Sequence, residues 1–309
     1  MHVRTSISNA GAALVILAAS AACCAALVGC RDSSAAAQAG DAAAVSTETE
    51  LDFEAHAEAL RERWGAGFVV LIEKPFIIVG DQPEPVVQRH AERTVRWAVD
   101  RLKAEYFEHD PDHIITIYLF GGKQSYEKHA TELTGRKPHT PFGFYSPGRR
   151  MMVMNIATGG GTLVHEIVHP FVAANFPDCP AWFNEGLGSL YEQSAERDGR
   201  IIGKTNWRLA GLQRAITDGK APSFADLCAT TTDEFYGEHA GVNYATARYL
   251  CYYLQERGKL RNYYHAFVKH HHDDPTGYDT LVSILGDDGR DMPAFERDWQ
   301  RWVLKLRFP

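Results

Sequence analysis

The stretch GGGTLVHEIVHPF, residues 159–171, contains the pattern His-Glu-x-x-His, in which two histidines lie four positions apart. Positions four apart share one face of an α-helix, about one turn from each other, so His165 and His169 can both direct their imidazoles at one metal ion. Glu166 would then lie beside the ion, near the coordination position that stays open. The alternative is that three polar residues happen to share a helix. Thr162 is predicted to cap that helix.

Helix geometry predicts a third ligand. Catalytic zinc commonly has three protein ligands and a water molecule, so two histidines are not enough. The first helix is expected to end at Phe176, because Pro177 forces a turn, and a second helix returns through PAWFNEGLGSLYE, residues 180–192. A rise of about 1.5 Å per residue brings Glu185 back to the height of His169. A solvated carboxylate is the alternative, but the apolar neighbours of Glu185 indicate a buried helix, where an unpaired carboxylate is costly.

The first 29 residues are predicted to be a signal peptide. A weakly basic start precedes an uncharged apolar stretch, which ends in Leu-Val-Gly-Cys at positions 27–30. This ending resembles bacterial lipoprotein signals, in which the cysteine is lipidated and becomes the mature N-terminus. Membrane attachment through lipidated Cys30 is therefore expected, with residues 30–50 as a flexible tether. An uncleaved transmembrane anchor is the alternative, and both readings place the body outside the cytoplasm, at the cell envelope facing the periplasm or the exterior.

Composition limits the other possibilities. At 309 residues, the chain is long enough for one large domain or for two lobes that share a cleft. The formal net charge of -7, with no basic stripe of interleaved aromatic residues, argues against a nucleic-acid partner. Beyond Cys30 the chain has Cys179, Cys228 and Cys251, which allow at most one disulfide and offer no CxxC spacing for a thiolate zinc site.

Hydrophobic periodicity predicts an α+β fold with a mixed N-terminal lobe, residues 51–158, and a mainly helical remainder, residues 159–309. Strands are predicted within 68–80 as a hairpin or bent strand, at 114–120, and as a pair within 142–155. Besides the two helices around the motif, helices are predicted at 53–64, 85–107, 123–133, 206–217, 241–257, 260–271 and 293–306.

The HEIVH motif, followed sixteen residues later by the glutamate of PAWFNEGLGSLYE, resembles the gluzincin metallopeptidases, in particular the peptidase MA-like bacterial envelope proteins. GFYSPGRRMMVMN upstream and YATARYLCYYLQERG downstream are also similar, so the resemblance covers about residues 110–270. It implies a thermolysin-like zincin core with a mixed sheet and one Zn²⁺ ion. By position, the metal ligands would be His165, His169 and Glu185. Glu166 would act as the general base.

The same resemblance implies a donor for the oxyanion. Gluzincins usually add a tyrosine or histidine that stabilises the charge developing on the substrate carbonyl. Tyr244 is the first candidate, because it opens the helix that follows the site, and His239 is the second. For Tyr244, packing in the core is the alternative.

Three features depart from the gluzincin pattern. Pro170 removes the N–H that would bond the carbonyl of Glu166 and is expected to kink the helix. Many gluzincins place an acid where this chain has Ser189, so support for a histidine is weaker here or comes from elsewhere, for example Glu192. The preceding strand lacks the Gly-x-Met-Glu-Asn motif, which argues against an aminopeptidase, although an edge strand at 150–156 could still pair with an extended peptide.

The sequence therefore predicts an envelope-anchored zinc metallopeptidase that hydrolyses a peptide or protein substrate. Two alternatives stay open. One is a catalytically inactive relative that keeps its metal and acts as a binding or scaffold module, and the other is a zinc amidase with a non-peptide substrate such as a cell-wall amide. The intact Glu166 favours catalysis, because a purely structural metal site needs no base, whereas Ser189 mildly favours the inactive relative.

Overall fold

The computed structural model describes residues 51–308. The predicted signal peptide, the lipidated Cys30 and the tether, residues 30–50, lie outside the described residues, so they remain predictions. Within residues 51–308, no helix is both long and apolar enough to cross a membrane. Cys179, Cys228 and Cys251 are free thiols.

A five-stranded mixed sheet lies at the centre of the N-terminal half. Its strands are β1 (Val69–Glu73), β2 (Phe76–Gly80), β3 (Ile115–Phe120), β4 (Gly143–Ser146) and β5 (Met151–Asn155). In the order β1-β2-β3-β5-β4, the three inner strands are parallel, and each edge strand is antiparallel to its neighbour. The strands predicted from periodicity are confirmed.

The sheet edge nearest the motif is formed by β4. β5 pairs with β3 on one side and with β4 on the other, so the prediction of an edge strand at 150–156 is wrong. The turn Pro147–Arg149 folds β4 onto the outer side of β5. An extended peptide that adds to this side of the sheet would therefore pair with β4.

Helices account for most of the remaining described chain. They are α1 (Phe53–Trp64), α2 (Glu84–His90), α3 (Trp97–Glu105), α4 (Lys123–Thr134), α5 (Gly161–Asn175), α6 (Ala181–Leu190), α7 (Leu209–Thr217), α8 (Phe224–Cys228), α9 (Thr232–Phe235), α10 (Ala240–Glu256), α11 (Leu260–His270), α12 (Tyr278–Leu285) and α13 (Met292–Lys305). The helix predicted at 85–107 forms as α2 and α3, joined by a π-helical stretch, Ala91–Arg96.

One hairpin was not predicted. β6 (Ser194–Arg197) and β7 (Arg200–Gly203) form a separate two-stranded sheet after α6. Asp198 and Gly199 connect the strands, both with positive φ. An Asp-Gly pair is a strong signal for a two-residue hairpin turn, and it identifies this hairpin in the sequence.

Helices cover both faces of the central sheet. Ile77 and Val79 of β2 belong to the core with α1 and α4, whereas Phe76 and Ile78 belong to the core with α5, as the alternation of a strand requires. The core on the α5 side continues into the C-terminal helices as far as Val303. The fold is thus mixed helix and strand, compatible with the predicted α+β class.

The start of α5 differs from the prediction. The helix begins at Gly161 with Gly160 as its N-cap, so the prediction that Thr162 caps it is wrong. A Cβ on Gly161 would collide with the carbonyl oxygen of Glu192, so the glycine lets the segment after α6 cross the helix start. α5 then continues through Pro170 and ends more than one turn later.

α6 packs between α5 and α10, which holds the returning helix close to the motif. Gly186 permits the approach of α10. A Cβ there would lie 3.1 Å from Cys251 Sγ and 3.2 Å from the backbone of Ala247. The position of α6 relative to α10 therefore depends on a small residue in the middle of α6.

Candidate metal centre

Two histidines of α5 and one glutamate of α6 form the candidate metal centre. His165, His169 and Glu185 each offer one ligand atom, and these atoms lie within 4.8 Å of one another. Glu185 Oε2 is 3.2 Å from His165 Nε2 and 3.9 Å from His169 Nε2. The three residues are brought together as the sequence predicts, and this group could hold a metal ion.

The chemistry of these atoms fits a divalent metal ion. Glu185 Oε2 is buried and accepts no hydrogen bond from a described residue, a costly state for a carboxylate oxygen that has no other partner. Two ligands bound at roughly 2.0–2.1 Å to a tetrahedral ion lie about 3.3 Å apart. The distance of 3.2 Å between Glu185 Oε2 and His165 Nε2 matches that spacing, whereas His169 Nε2 lies farther from Glu185 Oε2, at 3.9 Å.

The charges at the centre also attract a cation. Burial by itself lowers the pKa of His165, but its contacts with Glu185 and Glu192 outweigh burial and raise that pKa to about 10. Burial raises the pKa of Glu185, yet His169 and His165 bring it down to about 2. The carboxylates therefore draw positive charge to the imidazoles, and a bound metal ion would satisfy the same attraction.

Asn184 fixes the orientation of His169. The distance from His169 Nδ1 to Asn184 Oδ1 is 2.9 Å. Because an amide oxygen only accepts, Nδ1 carries the proton and donates, which leaves Nε2 with a free lone pair. Nε2 is the atom directed at Glu185. This tautomer is the one that a metal ligand needs.

Glu192 lies next to His165. It takes the role of the acid that many gluzincins carry at the position of Ser189. Glu192 Oε1 lies 3.4 Å from His165 Nδ1, a contact that is not aligned as a hydrogen bond. Arg208 donates to both oxygens of Glu192, at 2.8 Å and 3.2 Å, and Asn206 Nδ2 donates at 2.9 Å. Burial would raise the pKa of Glu192, but Arg208 and His165 hold it well below its usual range. Glu192 is therefore a carboxylate held in place by Arg208 and Asn206, next to the Nδ1 side of His165.

Glu166 lies beside the three ligands. Its Oε2 atom is 3.9 Å from His169 Nε2 and accepts a hydrogen bond of 3.2 Å from the backbone N–H of Tyr145 in β4. Burial raises the pKa of Glu166, and the opposing effect of the two histidines does not cancel it. A glutamate with a raised pKa is a stronger base than an ordinary glutamate, which is the direction that a general base needs.

The candidate oxyanion donors differ in position. Tyr244 is buried beside Glu185, which contributes with burial to a pKa raised well above the ordinary value. His239 is exposed at the N-cap of α10, and no side-chain hydrogen bond or ion pair joins it to the centre within residues 51–308. Tyr236, which sequence reasoning missed, donates to Glu185 Oε1 at 2.6 Å. Its ring centroid lies 6.1 Å from that of Tyr244, so two phenols meet at this ligand.

No family model and no curated protein sequence matches this chain. The gluzincin resemblance therefore remains a prediction that rests on the motif and on the glutamate of the second helix.

Sequence reasoning missed the residues that hold the ligands in place. Asn184 directly precedes Glu185 in the sequence. Its side-chain amide, next to a predicted ligand, could have been recognised as a hydrogen-bond partner for one of the histidines. Arg208 and Tyr236 lie in segments whose approach to α6 depends on the whole C-terminal half, and no local pattern indicates it. Ser189, in turn, donates to the backbone carbonyl of Glu185 in its own helix, at 2.6 Å.

Proposed function

We propose that this protein is a zinc-dependent hydrolase of peptide bonds, built on a thermolysin-like gluzincin core and acting at the cell envelope. The observation that supports it most is the meeting of three ligand atoms, from His165, His169 and Glu185, beside the carboxylate of Glu166. Two imidazoles and one carboxylate are a known catalytic zinc set. A site with a purely structural metal has no need of a fourth, base-like carboxylate.

The metal and the protein contribute different chemistry. A zinc ion held by the two histidines and Glu185 would supply Lewis-acid polarisation and a more acidic water. Glu166 takes a proton from the attacking water and returns it to the leaving nitrogen, as a general base and then a general acid. Its backbone partner in β4 orients the carboxylate without neutralising it. Tyr236 and Tyr244 supply hydroxyl groups at the same ligand, and Tyr244 remains the proposed oxyanion donor, with His239 as second candidate.

The edge strand β4 offers a place for an extended substrate. Among the described strands, β4 pairs with β5 alone, so its other edge is not covered by a described strand. Tyr145 N–H, directed at Glu166, belongs to that edge. A peptide that pairs with β4 would bring its own backbone carbonyls next to Glu166, which is the geometry that hydrolysis of a peptide bond requires.

The direct test is Glu166→Gln in the mature chain. We expect zinc content to stay at one ion per chain, because Glu166 is not a ligand, while hydrolysis in a peptide-library digest falls by about 10²-fold or more. Glu62→Gln, an exposed glutamate of α1, is the matched control and should keep full activity. A chelator-treated sample sets the metal-free baseline. Unchanged hydrolysis in Glu166→Gln would show that Glu166 is not the general base.

The same digest separates the open alternatives. A wild-type protein that binds zinc, cleaves no peptide and cleaves cell-wall amides is an amidase. One that binds zinc and cleaves neither substrate is a binding or scaffold protein. Only peptide cleavage that the chelator abolishes supports the proposed peptidase.

A further inference from the structure

A cleft lies on the opposite face of the central sheet from α5. It has a volume of about 740 Å³, within the range of small-molecule sites. One wall is α1, with His56 and Arg63. The other wall contains His113, before β3, and the pair Arg149 and Arg150, before β5.

The cleft is rich in positive charge that the protein itself does not neutralise. Within residues 51–308, none of Arg63, Arg149 and Arg150 forms an ion pair. The lining contains one acid, Asp112, and its Oδ1 atom lies 2.6 Å from Nδ1 of His113. Three guanidinium groups against one carboxylate leave an excess of two positive charges at the cleft.

The backbone is bent to bring the two adjacent arginines to the same cleft. In a strand, successive side chains point to opposite faces, so Arg149, Arg150 and Met151 could not all line one side. A short helical turn ends at Arg150, whose φ of 51° lies in the left-handed region that residues other than glycine rarely adopt. Arg150 is held there by the bonds Arg150 N–H to Pro147 O and Thr116 N–H to Arg150 O. Such strain persists where the surrounding structure imposes it.

The floor of the cleft suits the body of a small molecule. Leu60, Leu133 and Met151 provide apolar surface, and Thr116 and Tyr118 of β3 provide hydroxyl groups. In the wall, His113 Nε2 is buried and has no hydrogen-bond partner among the described residues. The combination of a charged rim, an apolar floor and a few polar groups is typical of a ligand site.

We propose that this cleft binds the phosphate group of a small phosphorylated ligand. A phosphate dianion can accept hydrogen bonds from Arg63 and Arg150, and from the nitrogens of Arg149 other than Nη1, which donates to the Leu133 carbonyl at 3.1 Å. Arginine forks match the geometry of phosphate in paired hydrogen bonds. A ligand with a single carboxylate would neutralise only one of the two excess positive charges. The phosphate can belong to a soluble phosphate monoester or to the headgroup of an anionic phospholipid. The cleft lies across the sheet from the metal centre, so the inference does not depend on the proposed hydrolysis.

The test uses the mature full-length protein and two double variants. Arg63→Gln with Arg150→Asn removes two charges from the cleft, and asparagine tolerates the left-handed backbone at position 150. Arg61→Gln with Arg301→Gln is the control, because it removes two exposed arginines that do not line the cleft. Arg63→Gln alone serves if the cleft double variant does not fold.

The probes are inorganic phosphate, glycerol phosphate and acetate in calorimetric titrations, and vesicles of phosphatidylglycerol or phosphatidylcholine in a flotation assay. Each titration is repeated after a chelator has removed metal, since phosphate also binds zinc. We expect one phosphate site per chain that survives metal removal, with weaker binding of acetate. Its Kd should rise by about tenfold or more in the cleft variant and less than about twofold in the control.

The outcomes separate the two sources of phosphate. Binding of soluble phosphate that the cleft variant loses identifies a phosphate monoester site. Binding to phosphatidylglycerol vesicles alone, lost in the cleft variant and kept in the control, identifies a lipid headgroup. The proposal is overturned by the absence of any saturable binding, by binding that disappears with the metal, or by equal losses in the cleft and control variants.

Discussion

Glu192 Oε1 lies 3.4 Å from His165 Nδ1, on the side of the imidazole away from Glu185, and Arg208 holds the Glu192 carboxylate with two hydrogen bonds. A ligand of the candidate metal centre thus depends on a residue beyond the end of α6 and on an arginine at the start of α7. Because the carboxylate is already paired, it can support the imidazole without competing for the metal.

Glu192→Gln should weaken metal binding. The variant keeps the shape of the side chain but loses the charge that stabilises a proton on His165 Nδ1, so we expect metal affinity to fall by about 10- to 100-fold. Competition with a chromophoric chelator measures it. Glu196→Gln, which alters an exposed carboxylate on β6, is the control and should keep the wild-type affinity. Equal affinities in Glu192→Gln and the wild type would show that the contact is incidental.

Two tyrosines at Glu185 should have separable roles. Tyr236→Phe removes a 2.6 Å hydrogen bond to a metal ligand, so we expect metal affinity to fall by about tenfold. Tyr244→Phe leaves that bond intact and removes the proposed oxyanion donor, so kcat should fall by about 10²-fold, with a smaller loss of metal affinity than in Tyr236→Phe. Steady-state kinetics at saturating zinc, together with chelator competition, distinguish the two. Full kcat in Tyr244→Phe would remove Tyr244 as the donor.

Gly161→Ala should destabilise the fold and disturb the metal centre. The new Cβ would collide with the carbonyl oxygen of Glu192, so either α5 or the segment after α6 must move. We expect a loss of about 1–3 kcal/mol in the free energy of unfolding, measured by urea denaturation. Gly211→Ala is the matched control, since a Cβ there meets nothing within 4 Å in an exposed position of α7. It should stabilise by up to about 1 kcal/mol. If Gly211→Ala were also destabilised, the loss in Gly161→Ala could not be assigned to the collision with Glu192.

The sequence allows prediction of the parts of the site that are local. His165 and His169 follow from the spacing of one helix, and Glu185 follows because the lengths of two helices and a proline turn determine where the chain returns. The partners of the ligands do not follow, because Arg208 and Tyr236 reach α6 through the packing of the whole C-terminal half. Thr162 was a plausible cap by residue type, but the crossing of Glu192 over Gly161 decides the helix start, and that contact is tertiary.

The same distinction holds for the sheet. Periodicity predicts the strands, and a proline turn predicts that two of them are adjacent. Periodicity does not predict which of the two strands is the outer one. In the structure β4, not β5, forms the edge beside Glu166. The order of strands depends on how the turn Pro147–Arg149 folds back, and the pattern of buried residues is compatible with either order.

Asp274 should make the fold sensitive to acid. Its carboxylate accepts hydrogen bonds from the backbone N–H groups of Gly277, at 3.0 Å, and Thr280, at 2.7 Å, and so joins the end of α11 to the start of α12. Burial raises its pKa, but these bonds outweigh burial and leave the pKa below the ordinary value of 3.8. Because the folded pKa is the lower one, the stabilisation is complete above the ordinary value and is lost as the pH falls toward the folded pKa.

We therefore expect Asp274→Asn to lower the free energy of unfolding by about 1–3 kcal/mol at pH 7, since one oxygen of a buried acceptor pair becomes a donor. The difference from the wild type should shrink as the pH falls below the ordinary pKa, because Asp274 of the unfolded wild-type chain takes up a proton there while the folded carboxylate is still ionised. Urea denaturation of both proteins at pH 7 and at acidic pH measures this. Asp273→Asn, at the exposed neighbouring position, is the control and should match the wild type at both pH values. A difference between Asp274→Asn and the wild type that stays constant with pH would mean that shape rather than charge stabilises the turn.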